Sequence, residues 1–367
     1  MNFKELMYAL ALQETKGVGA VTAKKLIAIY GSAVQLFEAH QQKRIEKEVN
    51  MNLFHQLFSK SSLSNAEKEL NRAISKGLKC LYYQDKNYPK DLLHCADAPL
   101  ILFQDGGSDF NAYQKIISIV GTRNMSSYGR EFCADLIAAV KEYQPLIVSG
   151  FAFGVDICAH LEALKNDLPT AAVLAHGYGT VYPNEHKRFY HEMKESGGFL
   201  SEFTYDEQPL RENFLKRNRI VAGISQATIV IESAFKGGSL VTADIANSYN
   251  KDVFALPGRT TDVYSKGCNE LIKNHKAALF TSGEDLIEQL GWKKLTVKEV
   301  KIVQPQLFVE LEGGEKEIYD LLAVNAMHAD EIARTSGIPI YKVSNFIFQL
   351  EMKGLIQVLP GKLIKRC

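Results

Sequence analysis

The sequence predicts an α/β protein: a mainly parallel sheet with crossover helices, preceded by a small helical domain and followed by a winged helix. Three observations carry that prediction. From Lys115 to about Leu290, short aliphatic runs (IISIV, LIVSG, TAAVLA, ATIVI, DVFAL) alternate with helix-length segments, and a glycine-bearing loop follows each run. Before about residue 77 the pattern is helical. After about residue 310 come a helix, a short helix at Ala329–Thr335, a Ser336-Gly337 turn, a helix from Pro339 to Lys353 and a hairpin through Pro360-Gly361. That is a winged helix-turn-helix plan. The expected domains are 1–76, 77–290 and 311–367, with the Lys-rich, Pro- and Gln-containing stretch 291–310 as a linker.

Composition bounds the rest. A chain of 367 residues fits two or three domains, and 46% hydrophobic residues supply real cores, which excludes a disordered class. The formal net charge is only +1, so any polyanion must be met by local patches and not by the global field. The six cysteines (Cys80, Cys95, Cys133, Cys158, Cys268, Cys367) form no CxxC. This argues against a zinc site or a disulfide frame and for a reducing compartment. No stretch approaches ~18 uninterrupted apolar residues, so a soluble, cytoplasmic protein without membrane contact is expected.

In chain order, ELMYALALQ, TAKKLIAIYGSAVQLFEA and a longer segment ending near Lys76 read as helices. Lys16-Gly17-Val18-Gly19-Ala20, followed by Thr22, Lys24 and Lys25, gives a helix-hairpin-helix arrangement whose glycines would admit a phosphate. An ordinary tight turn in a small bundle fits as well. Residues 77–115 read as a transition, with one strand at Leu78–Tyr83 and an extended connection punctuated by Tyr88-Pro89 and Ala98-Pro99.

The sheet loops carry the candidate site. They are Gly121-Thr122-Arg123, Ser149-Gly150 through Gly154-Val155-Asp156, His176 through Tyr182-Pro183, Lys236-Gly237-Gly238-Ser239 and Pro257-Gly258-Arg259. In an open parallel sheet all such loops lie along one edge, where ligands bind. The central stretch is Phe214–Ala243: a basic helical turn with Phe214, Lys216, Arg217 and Arg219, a buried strand, then a glycine loop opening a helix at Ser239. Unpaired N–H groups at that helix start suit an anion. Aromatic, cations and phosphate cradle together suit a single-stranded nucleic acid. Arg217 and Arg219 could instead be structural, and Phe214 could be core.

Other chemistries find no support. There is no GxxxxGK[ST] for a nucleoside triphosphate, no clean GxGxxG with its acidic partner, and no GxSxG around Ser149. Asp156 and His160, four apart, form either an acid–base or metal pair or a helix-start carboxylate and a satisfied histidine. Glu202, Glu232 and Asp244 stand in separate elements, whereas two-metal nuclease chemistry needs a cluster. The expected protein is a binder without cofactor or metal, and not an enzyme.

The motifs resemble the DNA-processing protein A (DprA, or Smf) family. They are GTR at 121–123, SGFAFGVD at 149–156 with Ala159-His160, and Gly177 through Tyr182-Pro183. FLKRNRIVAG at 214–223, Glu232 through Ala243, ALPG at 255–258 and GCNELI at 267–272 complete the set. The resemblance implies an extended Rossmann-like, doubly wound domain that binds and protects single-stranded DNA, forms a homodimer and loads the RecA recombinase during natural transformation and recombination. It further implies that Arg123 clamps a phosphate, that Phe214 stacks on a base and that Arg211 is a basic contact just upstream. Ser149, Gly150, Gly154, Lys216, Arg217, Asn218, Arg219, Lys236, Gly237, Gly238 and Ser239 would line the path. Two departures from the family pattern are Gly237, where serine is commoner, and Phe153, where a basic or polar residue is commoner.

Two competing readings stay open. One is a phosphoribohydrolase-like enzyme on a similar sheet with Glu232 as its catalytic carboxylate. The other is a regulator acting on duplex DNA through the winged helix, whose third helix offers Tyr341, Lys342, Ser344 and Asn345 and whose wing ends in Lys362, Lys365 and Arg366. Protein contact is an equally open role for that domain.

Overall fold

The structure, a computed structural model, describes residues 2–42, 59–293, 311, 313–323, 326–353, 355–359 and 363–366. The chain divides into two compact units, Met1–Leu295 and Thr296–Cys367.

The first unit is built on a nine-stranded sheet. Its strands are β1 (Lys79–Tyr82), β2 (Ile101–Asp105), β3 (Ile116–Val120), β4 (Leu146–Ser149), β5 (Thr170–Val173), β6 (Gly198–Ser201), β7 (Ala227–Val230), β8 (Asp252–Ala255) and β9 (Ala278–Leu279). Their spatial order is β1-β2-β6-β5-β4-β3-β7-β8-β9. From β6 to β9 every pairing is parallel, and β1 and β2 add an antiparallel edge. The chain winds outward from β3 in one direction through β4, β5 and β6, then returns to β3's other side with β7, β8 and β9. That doubly wound, Rossmann-like order puts a topological switch point between β3 and β7.

Strands β3, β4, β5 and β7 are buried along their whole length. Helices cover both sheet faces, which is why the strands read as continuous apolar runs without polar alternation. Ile117, Ile119 and Ile229 pack on one side with the helices Ser127–Val140 and Val155–Lys165. Ile116, Val120 and Val230 pack on the other with Arg211–Ile224 and Gly238–Ser248.

The transition segment 77–115 is more ordered than its punctuation suggests. Where the sequence reads as extended connection, Ile101–Asp105 is a fully buried strand pairing with both β1 and β6. The N-terminal helices Phe3–Gln13, Ala20–Tyr30, Ala33–Gln41 and Lys60–Ser75 do not stand apart from the sheet. Leu10, Leu12, Leu36 and Leu70 share one core with Tyr82, Ile101 and Phe103 on the antiparallel edge. The helix Ala20–Tyr30 is capped by Gly19, after a turn in which Gly17 has φ +84°.

The second unit has helices Gly314–Leu321, Ala329–Ser336 and Ile340–Met352 with a three-stranded antiparallel sheet of Met327–His328, Leu363–Arg366 and Ile356–Leu359. This is the winged-helix plan. Ile318, Ile332, Val343 and Leu350 form its core, and Tyr341 is exposed. The expected linker beyond residue 293, the Pro360-Gly361 turn and Lys362 lie outside the described residues.

Candidate nucleic-acid interface

A cleft of about 630 Å³ opens at the carboxyl ends of the central strands, over the switch point. Five segments converge on it: the loops after β3, β4 and β5, the helix Arg211–Ile224 with the residues just before it, and the loop after β7. Gly121, Thr122, Arg123, Gly150, Arg211, Phe214, Arg217, Asn218, Lys236, Gly237, Gly238 and Ser239 all line it.

The loop after β3 is held by its backbone. Thr122 N–H donates to Glu232 O at 2.7 Å, Val155 N–H donates to Thr122 O at 3.1 Å, and Asn124 N–H donates to Thr122 Oγ1 at 3.1 Å. The Glu232 carboxylate accepts from Ser126 N–H and from Ser126 Oγ, the cap of the next helix. Glu232 is buried, its carboxylate is engaged by Ser126, and it does not line the cleft. The glycines here are space-filling constraints. A Cβ on Gly121 would lie 2.9 Å from Glu232 O, and one on Gly154, at φ +76°, would lie 2.2 Å from Thr122 O. Gly154 therefore stays outside the cleft and lets the loop after β4 pack under Arg123.

Arg123 projects from this rigid turn, exposed, with its guanidinium carbon 5.0 Å from the centre of the Phe214 ring. Phe214 is half-buried, and the Tyr182 ring meets it edge-on at 5.9 Å. A planar cation over an aromatic face leaves both groups able to engage a nucleotide, the ring by stacking and the guanidinium by a bidentate phosphate contact.

The helix Arg211–Ile224 splits the basic cluster that the sequence presents as one run. At 3.6 residues per turn, Arg211, Phe214, Leu215 and Asn218 share the face that lines the cleft. Lys216 and Arg219 turn to another face, a crevice shared with Glu14, Glu202 and Glu207. Arg219 pairs with the Glu202 carboxylate and donates to Asp97 O at 2.6 Å. Burial, together with the neighbouring Glu207 and Glu202, pushes the Glu14 carboxyl up to about 7, so both cations sit among carboxylates.

Arg217 belongs to the floor. It is 5% exposed and donates to Val173 O and to Asn218 Oδ1. Its guanidinium faces the buried Asp156 across Gly150, where a Cβ would fall 2.3 Å from Asp156 Oδ2 and 2.5 Å from Arg217 Nη1. Burial raises the Asp156 pKa and lowers that of Arg217, each opposed by the other's charge. Ser149 is wholly buried, its hydroxyl donating to Ile119 O at 2.6 Å. Asp156 and His160 do not act together: His160 Nδ1 pairs with Thr170 Oγ1 at 2.6 Å, and burial drives its pKa down to about 3.

On the far wall, Gly237 caps the helix Gly238–Ser248. A Cβ on Gly237 would meet Ser233 Oγ at 2.3 Å, whereas Gly238 has open space beside it. Ser239 Oγ donates inward to Ser233 Oγ at 2.9 Å, so its backbone N–H, not its hydroxyl, belongs to the anion cradle at this helix start. Lys236 stands exposed at the rim. Tyr182 is a cleft residue to which the sequence reading, although it includes its loop, gives no contact role. Its loop follows the same sheet edge, and that placement is the signal available.

Comparison with known proteins shows which family the chain is similar to. Residues 79–291 match the DNA recombination-mediator protein A family, and residues 304–362 match the DprA winged-helix domain. A putative DNA processing protein DprA from Mycobacterium tuberculosis is 33% identical over 273 residues, covering 73% of this chain and 69% of the relative. The solved structure of DNA processing protein A from Streptococcus pneumoniae superposes with a TM-score of 0.63 at 29% identity, covering 79% of this chain and 99% of that one. DNA processing protein A from Helicobacter pylori, whose structure is described for its single-stranded DNA binding mode, gives a TM-score of 0.53 at 30% identity over 58% of this chain and 95% of that one. With a family match spanning more than half its length and the cleft residues inside that match, this chain belongs to the DNA recombination-mediator protein A (DprA/Smf) family.

Proposed function

We propose that the protein binds single-stranded DNA in the cleft over the β3/β7 switch point, shelters it, and passes it to the RecA recombinase in the cytoplasm, working as a homodimer. One observation carries the DNA reading: Arg123, Phe214, Arg211, Asn218, Lys236 and the N–H groups at Gly238–Ser239 converge on one cleft although they come from three separate segments. In this reading Arg123, Arg211 and Lys236 take phosphates and Phe214 takes a base. Gly121, Thr122, Ser149, Gly150, Gly154, Arg217 and Gly237 position them. Lys216 and Arg219 act at a second remove, by neutralising the crevice beneath the same helix. Recombination mediation is a binding task, and family membership assigns the chain to mediators and not to catalysts.

The test is fluorescence anisotropy with labelled oligo-dT and an equal-length duplex, across salt, for wild type and Arg123→Ala. Single-strand preference is expected, with the affinity lost in the variant and the salt slope reduced by about 0.7. Single-strand binding indifferent to Arg123 would overturn the site. RecA transfer is read separately, as faster RecA filament growth on single strands already coated with a single-strand-binding protein.

A further inference from the structure

The cleft does not account for the exposed aromatic rings on the same sheet edge. Phe153, in the loop after β4, is 40% exposed, and Phe235, in the loop after β7, is 59% exposed. Neither lines the cleft. Their parent strands flank β3 in the order β4-β3-β7, so the two loops rise on opposite sides of Arg123. Two strand spacings amount to about 10 Å.

Both rings are mounted on constrained backbone. Phe153 meets the His186 ring at 5.0 Å, nearly perpendicular, and His186 is buried with Nδ1 3.0 Å from Phe151 O. The loop carrying Phe235 is pinned by Ser233 N–H to Tyr264 O at 2.6 Å and Gly237 N–H to Ala234 O at 2.9 Å. Exposed cations lie in the neighbouring segments: Lys236 follows Phe235, and Lys187 follows His186, while Arg188 lies over the Phe189 ring at 4.5 Å. Large exposed apolar side chains on both sides of Arg123, with cations in the neighbouring segments, are what an extended stacking path requires.

We propose that the single strand continues beyond the cleft at both ends, with Phe153 and Phe235 each stacking on a base and the neighbouring cations meeting the intervening phosphates. This rests on the cleft being the DNA site, and it assigns the outer ends of the footprint. The occupant is the same strand and not a protein, because both rings rise from the sheet edge that carries the cleft, with Lys236 next to Phe235 and Lys187 in the segment that packs on Phe153 through His186.

The experiment compares a thymidine dinucleotide, which fits between the two loops, with oligo-dT of about 16 nucleotides, the upper end of the usual site sizes of single-strand binders. Wild type, Phe153→Ala, Phe153→Leu, Phe235→Ala and Arg123→Ala are titrated with both. The expected result is that each phenylalanine variant weakens the long oligomer by about fivefold or more, the lower end of a lost stacking contact. The short oligomer keeps its affinity, and Phe153→Leu behaves like alanine because it retains packing and loses stacking. Salt slopes should match wild type, since no phosphate contact is removed. Unchanged long-oligomer binding overturns the proposal, as does an equal loss at both lengths. Failure of the cleft itself shows differently: Arg123→Ala would then leave both lengths bound.

Discussion

Arg217 and Arg123 are the same residue type lining the same cleft, yet the structure assigns them opposite kinds of work, and Arg217→Met separates them. Arg217 is 5% exposed and Asp156 7%, and both crowd the space that Gly150 leaves free. Methionine keeps most of the side-chain volume but strands the Asp156 carboxylate without its cation. The two groups face each other without direct ion-pair contact, so losing the guanidinium leaves a buried carboxylate less well compensated, at a cost of about 1–3 kcal/mol. At about 2–4 °C per kcal/mol for domains of a few hundred residues, the melting temperature should fall by about 2–12 °C. Differential scanning calorimetry measures this directly. Asp156→Asn combined with Arg217→Met should recover part of the loss, because the stranded charge is gone. The folded fraction of Arg217→Met should keep the wild-type salt slope for oligo-dT, since the exposed cations are intact. Melting within about 1 °C of wild type together with a slope lowered by about 0.7 would refute the reasoning and turn Arg217 outward to the strand.

Two further outcomes follow from the same geometry. Gly154→Ala combines φ +76° with a Cβ 2.2 Å from Thr122 O, so it should cost about 1–3 kcal/mol in denaturant unfolding and weaken oligo-dT binding, because the displaced carbonyl anchors the Arg123 loop; equal stability and affinity would contradict it. His160 is held neutral with its pKa lowered to about 3, against about 6.5 in an unfolded chain, so below pH 6.5 the unfolded state takes a proton that the folded state refuses. Stability should therefore drain away between pH 6.5 and about 3, with about 2 kcal/mol lost by pH 5, and His160→Gln should lack that component; parallel stability–pH curves for the two proteins would refute it.

Much of the sheet was legible because parallel strands covered on both faces are written as unbroken aliphatic runs, and IISIV, LIVS, TAAV and ATIV each became such a strand. The edge strand Lys79–Tyr82 was legible as well, within Leu78–Tyr83, but its antiparallel neighbour escaped. Ile101–Asp105 ends in Gln104 and Asp105, both buried, and it follows Ala98-Pro99, so its composition resembles a connection. Those polar side chains are tolerated because Gln104 Nε2 donates to Ser108 O at 2.7 Å, while Tyr190 Oη at 2.7 Å and Lys194 Nζ at 2.7 Å both reach Asp105. These partners are four to about ninety residues away, beyond the reach of local pattern. Gly198–Ser201 escaped for a related reason: Gly198 has φ +92° and packs against Asp105 and Gly106, so a glycine that signals a turn is the close approach of two strands.

The candidate site divides along the same line. Its loops could be picked out from sequence because glycines recurring at the carboxyl ends of parallel strands mark the edge where such sheets take their ligands. The roles of its cations could not, because a run such as Lys216-Arg217-Asn218-Arg219 gives no weight to the 100° between successive residues on a helix. Folding sends Asn218 to the cleft, Arg217 to Asp156, and Lys216 and Arg219 to the carboxylates under the helix. With a net charge of only +1, such a chain cannot draw a polyanion by its overall field. Spending two of the helix's arginines on internal carboxylates leaves Arg123, Arg211 and Lys236 as the exposed cations around Phe214. Affinity must then come from placing those few charges against a stacking surface, which is why the backbone clamps on Thr122 and Ser126 matter as much as the guanidinium they aim.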